Sequence, residues 1–370
     1  MLKETTKEEI LAGCTRYLTG HARKTPHQAL TDLAASVSDN VKTDFYGQGT
    51  LIEDFERQIA NLLGKESAVF MPSGTMAQQI ALGLWAERSH SNHVAFHPTC
   101  HLEIHEHKGY QLLHGLHGIL LGNPNRLITL DDLKKVRESL AALLIELPQR
   151  EIGGLLPGWD ELVELTSWAR ERNIPLHMDG ARLWECKPFY QREYREIAGL
   201  FDSVYVSFYK GLGGLAGAVL AGPDAIIQPA RTWQRRHGGN LIHLYPYILS
   251  AKQGLSQRLE RMQAYHDKAL ELANILSEFP QIKIVPNPPH TNMMHVYICG
   301  DQERLNEAAL YVAAESNTLL FHDVAPSPVP ELYKVELSVG DATLELSDDE
   351  IRSLFQMLFE HAGSEEVTSD

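Results

Sequence analysis

Short apolar runs recur along the chain at 67–71, 140–147, 174–178, 202–208 and 215–220, and helical patterns lie between several of them. This alternation constrains the fold more than any other feature. Runs of five to eight apolar residues without a polar face suit strands covered on both sides, and strands of that kind belong to parallel sheets built from β-α-β units. At 51–63 Leu51, Phe55, Ile59 and Leu62 fall at helical spacing, with Gly64 as a stop. Further helical patterns occupy 75–85 and 159–172. To about residue 225 the order predicts one large α/β domain with a mostly parallel sheet. From 247 a long helical pattern runs to about 279, where Pro280 ends it. Strands at 282–285 and 293–298, a helix, a strand at 334–339 and a last helix at 348–361 then predict a smaller α+β domain. The expected organisation is an N-terminal segment 1–45, a large domain 46–250 and a C-terminal domain 251–370.

Charge and cysteine usage exclude several function classes. The 370 residues carry 33 basic and 48 acidic side chains, a formal charge of −15, and a field of that sign repels phosphate backbones. Nucleic acid is therefore not an expected partner. The first ten residues include Lys3, Glu4, Lys7, Glu8 and Glu9 and no apolar core of a signal peptide follows them. The longest apolar stretch, 211–222, is glycine-rich and ends at Pro223, far short of the roughly 20 residues of a membrane span. Cys14, Cys100, Cys186 and Cys299 form no C-x-x-C pair, so neither a disulfide framework nor a zinc knuckle is expected. These features predict a reduced, cytoplasmic protein without membrane association.

Three segments could carry chemistry. In Phe70-Met-Pro-Ser-Gly-Thr-Met76 a strand ends and a helix begins, with Ser73 and Thr75 at its mouth. Free backbone N–H groups and hydroxyls there suit an anion such as phosphate, although a Ser or Thr is also an ordinary helix cap. In His177-Met-Asp-Gly-Ala-Arg182, Asp179 sits where a buried strand ends, the ligand edge of a parallel sheet. With Arg182 it could hold a protonated ring nitrogen or a charged substrate, or form a structural ion pair. In Ser207-Phe-Tyr-Lys210, the lysine ends a strand and glycines fill four of the next seven positions, which lets a planar ligand reach the backbone. A desolvated lysine has a lowered pKa and a free amine. A phosphate-ready helix mouth, a strand-end Asp and a strand-end Lys 31 residues later together meet the needs of pyridoxal phosphate.

The order of these segments resembles the fold type I pyridoxal-phosphate enzymes, and within them the threonine aldolase and β-eliminating lyase family. Tyr46-Gly-Gln-Gly-Thr50 resembles the family's segment before its first strand. Glu146 with Gly153-Gly154 is similar to its E-x-x-H-x-x-x-G-G stretch, and 233–239 to its W-x-x-x-x-G-G stretch. The likeness spans about 14–300, and G-A-R and S-x-x-K-G-L-G are its most specific pieces. It implies a large domain with a small C-terminal partner and pyridoxal 5′-phosphate as cofactor. Lys210 would be the Schiff-base lysine and Asp179 the pyridinium partner. Ser73, Gly74, Thr75 and Ser207 would line the cofactor, His101 would stack on its ring, and Arg182, Tyr46 and Gln149 would meet an amino-acid substrate. It further implies a homodimer or homotetramer in which Tyr46 and the stretch 231–243 reach a neighbour's cofactor.

The departures bear on the reaction. Gln149 stands where the family has a histidine, a candidate base in the retro-aldol step, and glutamine cannot take a proton. Ile242, with His243 beside it, stands where an arginine reaches the neighbouring subunit's phosphate, so that contact would come from Arg235, Arg236 or His243 or be missing. For the C-terminal carboxylate-binding arginine the nearest candidate is Lys334. The expected activity is cleavage of the Cα–Cβ bond of a β-hydroxy amino acid to glycine and an aldehyde, with β-elimination or another Cα/Cβ chemistry as the alternative. A third reading, a metal-dependent hydrolase, would use the eight histidines between His90 and His117. His93, His97, His101 and His105 recur every four residues, but Pro98 interrupts any shared helical face, so no metal site is expected.

Overall fold

The computed structural model describes residues 6–363; Lys3, Glu4 and the polar tail beyond Gly363 lie outside them. The chain forms two compact units. One is Thr25–Met262, and the other gathers the described residues up to Lys24 and from Gln263 onward. The first strand, β1 (Arg16–Tyr17), belongs to the smaller unit. The next seven build the sheet of the larger unit: β2 (Ser67–Met71), β3 (His93–Phe96), β4 (His117–Leu120), β5 (Leu140–Glu146), β6 (Leu176–Gly180), β7 (Ser203–Ser207) and β8 (Ala218–Gly222).

Their order in the sheet is β2-β8-β7-β6-β5-β3-β4. Strands β4, β3, β5, β6 and β7 are parallel, and β8 is antiparallel to both β7 and β2. Two antiparallel steps restore direction, so β2 ends at the same edge as β5, β6 and β7. The three segments singled out from the sequence therefore share one edge. Strands β6, β7 and β8 are buried at every residue, the polar His177, Asp179, Ser203 and Ser207 included.

The helix Gly74–Ser89 packs against six strands from β2 to β8 and buries ten consecutive or nearly consecutive positions, so it has no polar stripe to betray its face. The helix Thr50–Leu63 turns its core face one position from the expected one. Ile52, Phe55, Ile59 and Leu63 are buried, while Leu51 and Leu62 stay partly exposed. The long helix expected over 247–279 is two helices, Tyr245–Arg258 and Met262–Leu276, joined by a 3-10 turn at Leu259–Arg261, where the chain passes between units. Sequence reading also missed β3 and β4, whose histidines hid short strands.

In the smaller unit β9 (Ile282–Val285), β10 (Met293–Cys299), β12 (Ala325–Pro326) and β13 (Leu332–Ser338) form an antiparallel sheet in the order β12-β13-β10-β9, and β1 pairs in parallel with β11 (Thr318–Leu319). The helices Gln302–Ser316 and Asp348–Gly363 pack on each other. Lys334 lies on β13 opposite Tyr297.

Candidate active site

The mouth of the helix Gly74–Ser89 is shaped by one close approach. A Cβ on Gly74 would stand 1.9 Å from the Tyr205 hydroxyl, which is held in the buried strand β7. Ser73 caps the helix by accepting from Met76 N at 3.3 Å, so the Gly74 and Thr75 N–H groups have no acceptor within the helix. Thr75 is exposed and Ser73 half-buried. The mouth thus offers two backbone donors and two hydroxyls to an anion. Gly74→Ala should destabilise the protein by about 1–3 kcal/mol through overpacking against Tyr205, read from urea denaturation of the cofactor-free chain. An unchanged midpoint would mean that Tyr205 moves freely.

Asp179 ends β6 and is 2% exposed. Its Oδ1 accepts from Ala181 N at 3.0 Å and its Oδ2 from Gln78 Nε2 at 2.5 Å. Burial pushes this carboxyl up; Lys210, the Ala181 N–H, His101 and Gln78 pull it back down. Lys210 follows the end of β7 by three residues. Lost hydration depresses its amine below the usual lysine range, helped by Arg182, while Asp179, Glu146 and Glu185 oppose the shift. An electron pair on Nζ is therefore more available than in a surface lysine.

Arg182 is held by Glu185, with Nη1 3.1 Å from Oε1. Glu185 is fully buried and packs closely on Gly211: a Cβ there would stand 2.6 Å from Glu185 Oε1. Ser207 Oγ donates to Ala181 O at 2.7 Å, tying the end of β7 to the turn after Asp179. His101 opens the short helix His101–Ile104, and its Nδ1 lies 3.0 Å from Glu106 Oε1. Glu106 in turn accepts from Gln79 Nε2 at 3.0 Å.

Gln149 is 2% exposed and donates from Nε2 to Glu146 Oε2 at 3.1 Å and Thr99 Oγ1 at 3.3 Å. Glu146 stands beside Asp179 in the β5–β6 register. An edge of the residue still reaches solvent, but its carboxyl is enclosed by protein and is pushed up to about 8, first by lost hydration and then by the Asp179 charge. A carboxyl that holds its proton more tightly when folded adds stability that is complete below its unfolded value of 4.5 and is lost as pH rises through about 8. Glu146→Gln should remove that slope. The melting temperature of the variant relative to the native protein should climb between pH 5 and pH 8.5, and a constant difference would refute the assignment.

Tyr46 stands apart from this group. Its backbone is left-handed (φ 47°), its N–H donates to Ile242 O, and its exposed ring meets Phe45 edge-on and Arg235 at 5.9 Å. Arg231 is held by Glu56 of its own chain at 2.6 Å, and His243 Nδ1 lies 2.7 Å from Asp44 O. The clustered histidines have separate partners: His93 the ring of His117, His97 the Arg126 carbonyl, His101 Glu106, and His105 Glu151.

The β-eliminating lyase family model matches residues 25–300. The chain belongs to that family. Among solved structures, the chain is 44% identical to a Listeria monocytogenes EGD-E protein provisionally named an L-allo-threonine aldolase, covering 96% of this chain and 99% of that one with a TM-score of 0.92. A protein of Exiguobacterium sp. 255-15, provisionally named an aromatic amino acid β-eliminating lyase/threonine aldolase, is 43% identical over the same shares with the same TM-score. The low specificity L-threonine aldolase of Escherichia coli K12 is 30% identical over 265 residues, 68% of this chain and 76% of the relative. As in other members of the family, the fold is that of type I pyridoxal-phosphate enzymes, and both the family and the architecture agree with the sequence reading.

Four residues around Asp179, Lys210, Arg182 and His101 escaped the sequence reading: Gln78, Glu106, Glu146 as a titrating group, and Glu185. Only Glu185 left a usable signal, its spacing of three from Arg182.

Proposed function

We infer that this chain is a pyridoxal 5′-phosphate-dependent carbon–carbon lyase that cleaves the Cα–Cβ bond of a β-hydroxy amino acid to glycine and an aldehyde. The observation that carries the assignment of the site is the convergence of Lys210, Asp179 and the Gly74 helix mouth on one sheet edge within a threonine-aldolase-like chain. The donor set fits the cofactor. Lys210 would hold it covalently through Nζ, Asp179 would face its ring nitrogen, His101 would lie on its ring, and Ser73, Gly74 and Thr75 would take its phosphate. When bound, the cofactor supplies an electron sink for the pair released at Cα.

The remaining work falls to this chain's side chains. Arg182, fixed by Glu185, and Gln149 would orient the substrate. Ser207 keeps the Asp179 turn in place through Ala181. Glu106 accepts from His101 Nδ1–H, which leaves His101 Nε2 as an acceptor able to take the β-hydroxyl proton. Gln149, a donor to Glu146 and Thr99, takes no proton. Tyr46, Arg235, Arg236 and His243 would complete a neighbour's site in a homodimer or homotetramer, with Ile242 contributing no charge. Cytoplasmic location is proposed from four cysteines that remain free thiols. Among the described residues no helix is long and apolar enough to cross a membrane.

A panel of β-hydroxy amino acids tests the reaction. Threonine and allo-threonine should yield acetaldehyde and glycine in equal amounts. Ammonia and a keto acid without aldehyde would replace this reading with β-elimination.

A further inference from the structure

Behind Asp179 runs a row of buried side chains that none of the steps above uses. Gln78 Nε2 donates to Asp179 Oδ2 at 2.5 Å, His177 Nε2 lies 3.1 Å from Gln78 Oε1, His177 Nδ1 lies 2.8 Å from Ser203 Oγ, and Trp85 Nε1 donates to Ser203 Oγ at 2.8 Å. Geometry dictates the row. Gln78 and Trp85 are two turns apart on one face of the helix Gly74–Ser89, His177 and Asp179 share a face of β6, and His177 pairs with Ser203 across the β6–β7 register.

The proton inventory has one solution with a charged Asp179. An indole only donates, so Ser203 Oγ accepts from Trp85. The Gln78 carbonyl only accepts, so His177 carries its proton on Nε2. His177 is neutral because burial takes it down to about 3, so Nδ1 is bare and accepts the Ser203 hydroxyl proton. The Gln78 amide nitrogen then faces Asp179. All four bonds run one way, from Trp85 to Asp179, and bonds aligned in this manner reinforce each other. If Asp179 took a proton and donated it to Gln78, the amide would turn and His177 would have to move its proton to Nδ1. Ser203 Oγ would then face two donors, Trp85 Nε1 and His177 Nδ1, and the one-way run of bonds would be lost.

We propose that Trp85, Ser203, His177 and Gln78 form a directed relay that keeps Asp179 a carboxylate of fixed orientation, ready for a protonated ring nitrogen. This rests on the cofactor reading given above. Gln78, His177, Ser203 and Trp85 are positioning residues, and the relay makes protonation of Asp179 costly at each link.

The test compares two cofactors on the full chain stripped of bound cofactor: pyridoxal 5′-phosphate, and its 1-deaza analogue, in which C–H replaces the ring nitrogen. Dissociation constants are read from cofactor absorbance. The native protein should prefer the natural cofactor at least ten-fold. Gln78→Met should weaken the natural cofactor by about ten- to a hundred-fold, the worth of one hydrogen bond to a charge, and leave the analogue within about three-fold. Ser203→Ala, which touches neither Asp179 nor the cofactor, should give a smaller loss of the same kind. Equal weakening of both cofactors, or of neither, overturns the relay. If a variant fails to melt cooperatively, the native preference decides: a native protein that binds both cofactors equally also overturns it. Native protein that binds neither overturns the cofactor reading instead.

Discussion

Lys210→Ala should lower turnover by on the order of a thousand-fold or more and abolish covalent retention of the cofactor. The amine is special because of where it is placed. It follows β7 at the sheet edge, its hydration is stripped, and Asp179 leads the groups whose negative charge opposes that shift. Borohydride reduction followed by peptide mapping should put the pyridoxyl label on Lys210 in the native protein and nowhere in the variant. A label on another lysine would overturn the assignment, and so would a variant that keeps near-native rates.

Asp179→Asn should separate binding from chemistry. The amide keeps the shape of the carboxylate but not its charge, and removing one partner of a buried charge pair costs roughly 3–5 kcal/mol, or roughly 10²–10⁴-fold in rate. The variant also turns an amide group toward either the Ala181 N–H or the Gln78 amide, both of which are donors. Turnover should fall by that factor while the cofactor stays attached through Lys210. Near-native rates would remove Asp179 from its proposed role.

What the sequence revealed follows from where information is local. The apolar runs that became β2, β5, β6 and β7 were legible because strands buried on both faces are mainly apolar, with His177, Asp179, Ser203 and Ser207 among the few polar interruptions. The helix mouth at Ser73 and the loop after Lys210 were legible because turn chemistry is confined to a few neighbouring residues. The strands β3 and β4 were hidden because half of each is histidine or small residues at the rim of the sheet. The one-position rotation of the helix Thr50–Leu63 was hidden because Leu51 and Leu62 are as apolar as the residues that displaced them, and only the tertiary neighbours choose. Glu106 and Gln78 were invisible for a different reason: each matters through a partner 27 or 101 residues away in the case of Gln79 and Asp179.

The antiparallel placement of β8 between β7 and β2 has a consequence for how the chain is made. Val69 of β2 pairs with Leu220 of β8, so the strand that leads into the helix Gly74–Ser89 waits on the order of 150 residues for its partner. At roughly 5–20 residues per second of synthesis, that wait is on the order of ten seconds, during which an apolar strand has an open edge. Closure of this pair is a non-local contact of the kind that slows folding. The ability to hold a cofactor is therefore acquired late in the life of each nascent chain, and cofactor loading marks molecules whose sheet has already closed.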